Sequence, residues 1–214
     1  MRQYGIDHEV AHSVKTVECG ESLVDLGMYK SKVVIEIEET SRKMQRLREG
    51  SCMMRTSVAQ RLLKAQALLP AGLRLKIIDS YRPLRAQRKI WRQLFNDIRK
   101  RPGITDIEAE LETDKWVANP DKIIPQHCTG GALDLTIVDR HFDELSMGSQ
   151  VNTAGRKSVT NARLTLKERK NRNLLIIAMS GAGFANYKRE WWHWSYGEWG
   201  WAYANGKNAI YGPI

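Results

Sequence analysis

The chain has 214 residues with 42% hydrophobic and 27% charged side chains, which suits a globular protein of one domain with a real core. No apolar run is long enough to span a bilayer, and the opening residues, MRQYGIDHEVAHSVK, hold no hydrophobic segment of signal-peptide type, so a cytoplasmic protein without a membrane partner is expected. Three scattered cysteines, Cys19, Cys52 and Cys128, exclude a disulfide scaffold and a cysteine-rich zinc knot. The net charge of +10 draws on clusters at residues 99–101 and 167–172. No nucleic-acid motif accompanies them, so they read as solvated helix faces and not as a nucleic-acid interface.

In chain order, VVIEIEE alternates like a strand, and SRKMQRLREGS reads as a polar loop or short helix. Residues 56–69 predict an amphipathic helix with Val58, Leu62, Ala65 and Leu69 on one face, Thr56 or Ser57 as cap, and Pro70 to Gly72 as stop. Leu73, Leu75 and Ile77 alternate with basic residues, predicting a strand that runs into Asp79-Ser80-Tyr81-Arg82-Pro83. A second helix is expected over 84–100, striped by Ile90, Trp91, Leu94, Phe95 and Ile98 and stopped at Pro102-Gly103. A short helix follows over 105–117, then a strand over 133–138 and a polar loop over 146–160 long enough for a binding role. Residues 161–180 read as helix, ended by Gly181 and Gly183. Five of the seven tryptophans then fall within residues 191–201, where they could form a ligand platform or, as preferred here, a rigid wall that fills core.

Two segments carry metal-site chemistry. A catalytic zinc takes three nitrogen or oxygen ligands from protein and keeps one position for water. In His127-Cys-Thr-Gly-Gly-Ala-Leu-Asp134, residues seven apart on a regular strand would face opposite ways. A break at Gly130-Gly131 can aim His127 and Asp134 at one point. In Glu190-Trp-Trp-His193, a helical turn or bent strand could bring both ends to the same ion, with Glu190 placed to move a proton. Arg82, backed by Pro83, is a candidate to stabilise an oxyanion. Each residue alone has a structural reading: His127 in packing, Asp134 in a turn, Arg82 in a surface ion pair. Cys128, beside His127, reads as an ordinary buried thiol.

Residues 8–12, His-Glu-Val-Ala-His, match the helical H-E-x-x-H zinc motif literally. Only seven residues precede it and no third ligand follows at a suitable spacing, so it is read as a terminal turn or helix.

Together, DSYRP, HCTGGALDLT and EWWHW resemble, in order and separation, the D-alanyl-D-alanine dipeptidases of the vancomycin-resistance type. The likeness runs from about Cys52 to about His193. It implies an α+β fold with a central antiparallel sheet flanked by helices, in a single domain spanning 1–214, with 1–50 divergent and 52–203 as catalytic core. It implies one zinc per chain on His127, Asp134 and His193, with Glu190 as general base and acid and Arg82 at the tetrahedral intermediate. Asp79 would orient Arg82 or line the pocket, and Tyr81, Asn152 and Trp192 are expected at the substrate. The implied partner is a small peptide containing D-alanine. The implied reaction is hydrolysis of D-alanyl-D-alanine or a related cell-wall peptide.

The chain departs from the family where the substrate is read. Pro125 replaces a serine, Thr129 stands where an arginine or similar residue is usual, and MGSQVN ends in Asn152 where the family has an aspartate for the substrate's ammonium. The stretch around 28–50 is unlike the family's. An amide accepts a hydrogen bond but carries no charge. A D,D-carboxypeptidase acting on longer, N-blocked peptidoglycan peptides is therefore an alternative. A non-catalytic cell-wall or polyanion binding module is another, disfavoured by the presence of Glu190.

Overall fold

The computed structural model describes residues 8–29, 32–35, 53–153 and 155–214. The helices are α1 (His8–Ser13), α2 (Thr56–Ala67), α3 (Leu84–Arg99), α4 (Asp106–Thr113), α5 (Leu166–Gly181) and α6 (Trp199–Asn205). The strands are β1 (Leu23–Asp25), β2 (Val34–Ile35), β3 (Met53–Arg55), β4 (Arg74–Asp79), β5 (Ala132–Val138), β6 (Ala185–Asn186) and β7 (His193–Ser195). The expected polar stretch at 41–51, and all of VVIEIEE beyond β2, lie outside the described residues.

The main sheet has the order β2-β4-β5-β7-β6. It is antiparallel except for β2, which pairs in parallel with β4 at the edge. Strand β5 is buried along its whole length, as a central strand covered on both faces must be. Leu133, Leu135 and Ile137 join Leu75 and Ile77 of β4 in one core with Val58, Leu62 and Ala65 of α2 and Leu175, Ala178 and Met179 of α5. The alternate residues of β5, Asp134 among them, point to the other face.

The face of α2 is as expected from its spacing, but its cap is not. Neither Thr56 nor Ser57 caps it. Arg55 holds the N-cap position without a side-chain bond, and the carboxylate of Glu21 accepts from the Ser57 amide at 2.9 Å. Helix α5 begins five residues later than the pattern suggested, because Thr165 and Glu168 close a reciprocal capping box there. In α3, Ile98 is buried, but Ile90, Trp91, Leu94 and Phe95 are only half-buried. Trp91 instead stacks on Phe95 and donates its indole N–H to Asp114. Among the described residues, no helix is long and apolar enough to cross a membrane.

Two devices of this fold set the site. A bulge between Ile77 and Asp79 shifts the β4–β5 register, so that Asp79 lies opposite Asp134. Without it Ile78 would take that place, and the bulge re-aims one side chain. On the other side of β5, His193 is the partner of Asp134. Asp79, Asp134 and His193 therefore form one cross-strand row.

Candidate metal centre and cleft

His127 does not sit on a strand. It lies in a 3-10 turn, Gln126–Thr129, that Gly130 ends in the left-handed conformation with φ 71°. At Gly131 a Cβ would meet the Tyr196 carbonyl at 2.5 Å, so this position admits no side chain. The pair of glycines thus makes the break that brings His127 back over Asp134. Thr129 closes the same turn, donating to the Gln126 carbonyl and accepting from the Gly131 amide. Cys128 is fully buried, and burial pushes its thiol up to about 12, as befits an inert packing residue.

The structure brings His127, Asp134 and His193 together. All three are buried, and one donor atom from each lies within 4.8 Å of the others. His193 Nδ1 is 2.9 Å from Asp134 Oδ1, and His127 Nε2 is 3.5 Å from Oδ2. The two rings meet edge to face with centroids 4.9 Å apart. His127 Nδ1 lies 2.8 Å from the Ser80 carbonyl. A carbonyl only accepts, so this contact places a proton on Nδ1 and leaves Nε2 to face Asp134. Burial opposes ionisation of Asp134, but the two imidazoles outweigh it and hold the carboxyl well below its usual range. Two imidazoles and a carboxylate, preset in this way, fit a zinc ion with one position left open. Among the described residues, no other group of three or more such side chains is placed to hold a metal. The His-Glu-Val-Ala-His segment lies in the short α1, whose Val10 and Ala11, with Val14 just beyond, pack against the Trp199–Trp201 cluster, and His12 is exposed.

Glu190 precedes β7 in a turn closed by the His193 amide donating to its carbonyl at 3.2 Å. Its carboxylate comes within 4.0 Å of His193 Nδ1, with 40% of the side chain still exposed. It sits below the molecular surface but borders open cleft. Burial, opposed by His193 and aided by Asp134, raises its pKa. Arg82 pairs with Asp79 and donates to Gln87 at 2.8 Å, and Gln87 in turn donates to the Ala118 carbonyl. The guanidinium is held on two sides. Burial weakens its charge, but Asp79 more than restores it.

These groups line a cleft of about 760 Å³. Asn152, Trp192 and Pro125 also line it, as do Arg156 and Arg189. Asp79 and Tyr81 do not. Asp79 acts through Arg82, and Tyr81 is buried with its hydroxyl donating to the Ile214 carbonyl. Trp191, Trp192 and Trp194 are nearly inaccessible and fill the main core, Trp192 at the edge of the cleft. Sequence reading missed Ser80, which contributes only its carbonyl, and Gln87, Arg156 and Arg189. The position of Arg189 next to Glu190 was the one available signal for these.

The loop 146–160 is fastened by Arg172 of α5. Its guanidinium, 2% exposed, donates to the carbonyls of Met147, Val159, Thr160 and Lys157 and lies over the Trp191 ring. The Trp191 amide donates to Ser158 and the Thr160 amide to Lys188.

A buried His–Asp–His donor set from two neighbouring strands and the turn before them, with a carboxylate and a fixed arginine beside it in a cleft, defines a metal-dependent hydrolase. Residues 29–207 match the D-ala-D-ala dipeptidase family of peptidases, and the chain belongs to that family. The match is wider than the motifs alone, reaching into the N-terminal stretch. A Synechocystis protein named D-alanyl-D-alanine dipeptidase is 29% identical over 179 residues, covering 71% of this chain and 72% of that one. One of the same name from Enterococcus faecium is 32% identical over 144 residues, covering 64% and 69%. A solved structure, VanYB in complex with D-alanine-D-alanine, aligns with a TM-score of 0.43 and 18% identity over 84% of this chain and 88% of that chain.

Proposed function

We propose that this protein is a zinc-dependent peptidase that cleaves D-alanyl-D-alanine or a closely related cell-wall peptide. The observation that carries this reading is the buried set of His127, Asp134 and His193 opening onto a cleft beside Glu190. Family membership and the names of the relatives supply the substrate class. The whole chain, 1–214, is read as one domain with its catalytic core at 52–203.

One zinc per chain, held by those three side chains, would supply Lewis acidity and a water acidified to about pKa 7. Glu190 takes a proton from the attacking water and returns it to the leaving amine. Arg82, fixed by Asp79 and Gln87, faces the negative charge that develops on the carbonyl oxygen. Asn152 and Trp192 contact the substrate, and Pro125 offers it no hydroxyl.

A second reading, a D,D-carboxypeptidase on N-blocked peptides, is favoured by the uncharged Asn152 in the cleft. The test is D-alanine release by zinc-loaded protein from D-Ala-D-Ala and from N-acetyl-D-Ala-D-Ala. Release from either supports the peptidase, and the faster substrate separates the two readings. No release from both, with zinc bound, overturns it in favour of a binding module.

A further inference from the structure

We infer that the cleft carries an anion subsite, built from Arg156 and Arg189, that selects peptides whose blocked acyl side bears a carboxylate. This rests on the peptidase reading of the same cleft.

The charges in the cleft are unevenly committed. Its carboxylates among the described residues are Asp134, held between two imidazoles, and Glu190, beside His193. Neither is left to receive a substrate's ammonium. Of its cations, Arg82 pairs with Asp79 and Lys115 with Glu112. Arg156 and Arg189 have no carboxylate partner among the described residues, and Nη1 of Arg189 is buried without any acceptor. A buried donor left unpaired is costly, and a ligand that brings an acceptor recovers that cost. A carboxylate suits a guanidinium best, through two parallel charge-assisted bonds.

Both arginines are presented by fixed backbone. Arg189 lies between two cross-links to the loop, Thr160 to Lys188 at 3.0 Å and Trp191 to Ser158 at 2.9 Å. Arg156 stands in that loop next to Lys157, whose carbonyl is one of those Arg172 holds. Asn152, on the same loop, adds a neutral polar group. The cleft, at about 760 Å³, falls within the size range of sites for drug-sized ligands. An acyl group extending from the scissile bond has room to place its carboxylate on these arginines.

The test compares N-succinyl-D-Ala-D-Ala with N-acetyl-D-Ala-D-Ala, which differ by one carboxylate. With zinc-loaded protein, kcat/KM for the succinyl peptide is expected to exceed that for the acetyl peptide by about tenfold or more. That ratio should fall toward one in Arg156→Gln and Arg189→Gln, and in high salt. The same ratio is read as Kd by calorimetry on Glu190→Gln protein. A ratio near one in the wild type, or one unmoved in both arginine variants, overturns the subsite while leaving the peptidase standing. Preferential binding of the succinyl peptide with no cleavage of either overturns the peptidase and keeps the subsite. No detectable binding of either peptide overturns the subsite.

Discussion

Asp134 faces His193 across the β5–β7 ladder, and its Oδ1 lies 2.9 Å from the imidazole Nδ1. The pairing fixes two proposed zinc ligands on the most buried strand of the sheet and its neighbour. His127→Ala, Asp134→Ala and His193→Ala should therefore each weaken zinc binding by more than the roughly 10- to 100-fold typical of losing an outer hydrogen bond. The double variant His8→Ala with His12→Ala should keep full zinc. Metal content after dialysis checks both, and zinc lost from the double variant would restore the terminal motif as the site.

Glu190→Gln keeps the size of the side chain and removes its proton chemistry. Zinc content should stay at the wild-type level while kcat falls about 10²- to 10⁴-fold. Arg82→Gln should lower kcat by about 10²- to 10³-fold with a smaller change in KM. Arg82→Lys should not rescue it, because the Asp79 and Gln87 contacts use separate guanidinium nitrogens. Steady-state kinetics with parallel zinc assays separates these effects from loss of the metal.

Arg172→Met should destabilise the protein by about 2–4 kcal/mol, since it strands buried carbonyl groups that the guanidinium now satisfies. It should also raise KM, because the loop that carries Asn152 and Arg156 loses its anchor. Thermal unfolding and kinetics on the same sample check the pair. An unchanged KM in a destabilised protein would show that Arg172 serves packing alone.

Glu18 and Glu21 fasten the N-terminal segment to the core. Burial opposes the ionisation of both. For Glu18 the amides of Gly212 and Gly20 and the Arg55 guanidinium win, and for Glu21 the Ser57 hydroxyl and amide and the Tyr211 hydroxyl win. Each folded-state pKa thus lies below the unfolded value of about 4.3. The unfolded chain takes up protons first as pH drops, so this stability is complete above about pH 5 and drains as pH falls through the folded values. Urea midpoints for Glu18→Gln and Glu21→Gln, set against wild type from about pH 6 to 3.5, should converge on the acid side. A constant gap across that range would contradict the linkage.

Much of this was legible in the chain because spacing and chemistry agree. The apolar face of α2, the strand entering Asp79, and the glycine break between His127 and Asp134 follow from periodicity and steric need. The convergence of the three candidate ligands was legible through the order of the motifs, not through any local rule. Other features had no side-chain signal. Ser80 orients His127 through its carbonyl, which every residue type possesses. The β4 bulge leaves no glycine or proline in Ile77-Ile78-Asp79. The cap of α2 comes from Glu21, more than thirty positions away, where a local reading looked to Thr56 and Ser57. Thr165-x-x-Glu168 did announce the start of α5, but the apolar pattern upstream hid it.

The grip of Arg172 falls on main-chain oxygens, so it does not depend on the side chains at positions 152 and 156. The side chain at 156 can be exchanged with the loop's path preserved, and position 152, where φ is 59°, accepts residues such as Gly or Asp that tolerate the left-handed backbone, while the strands that carry His193 and Asp134 stay untouched. Selectivity in this scaffold is thus modular. Libraries confined to those two positions offer a route to new peptide preferences, on a catalytic centre that need not be rebuilt.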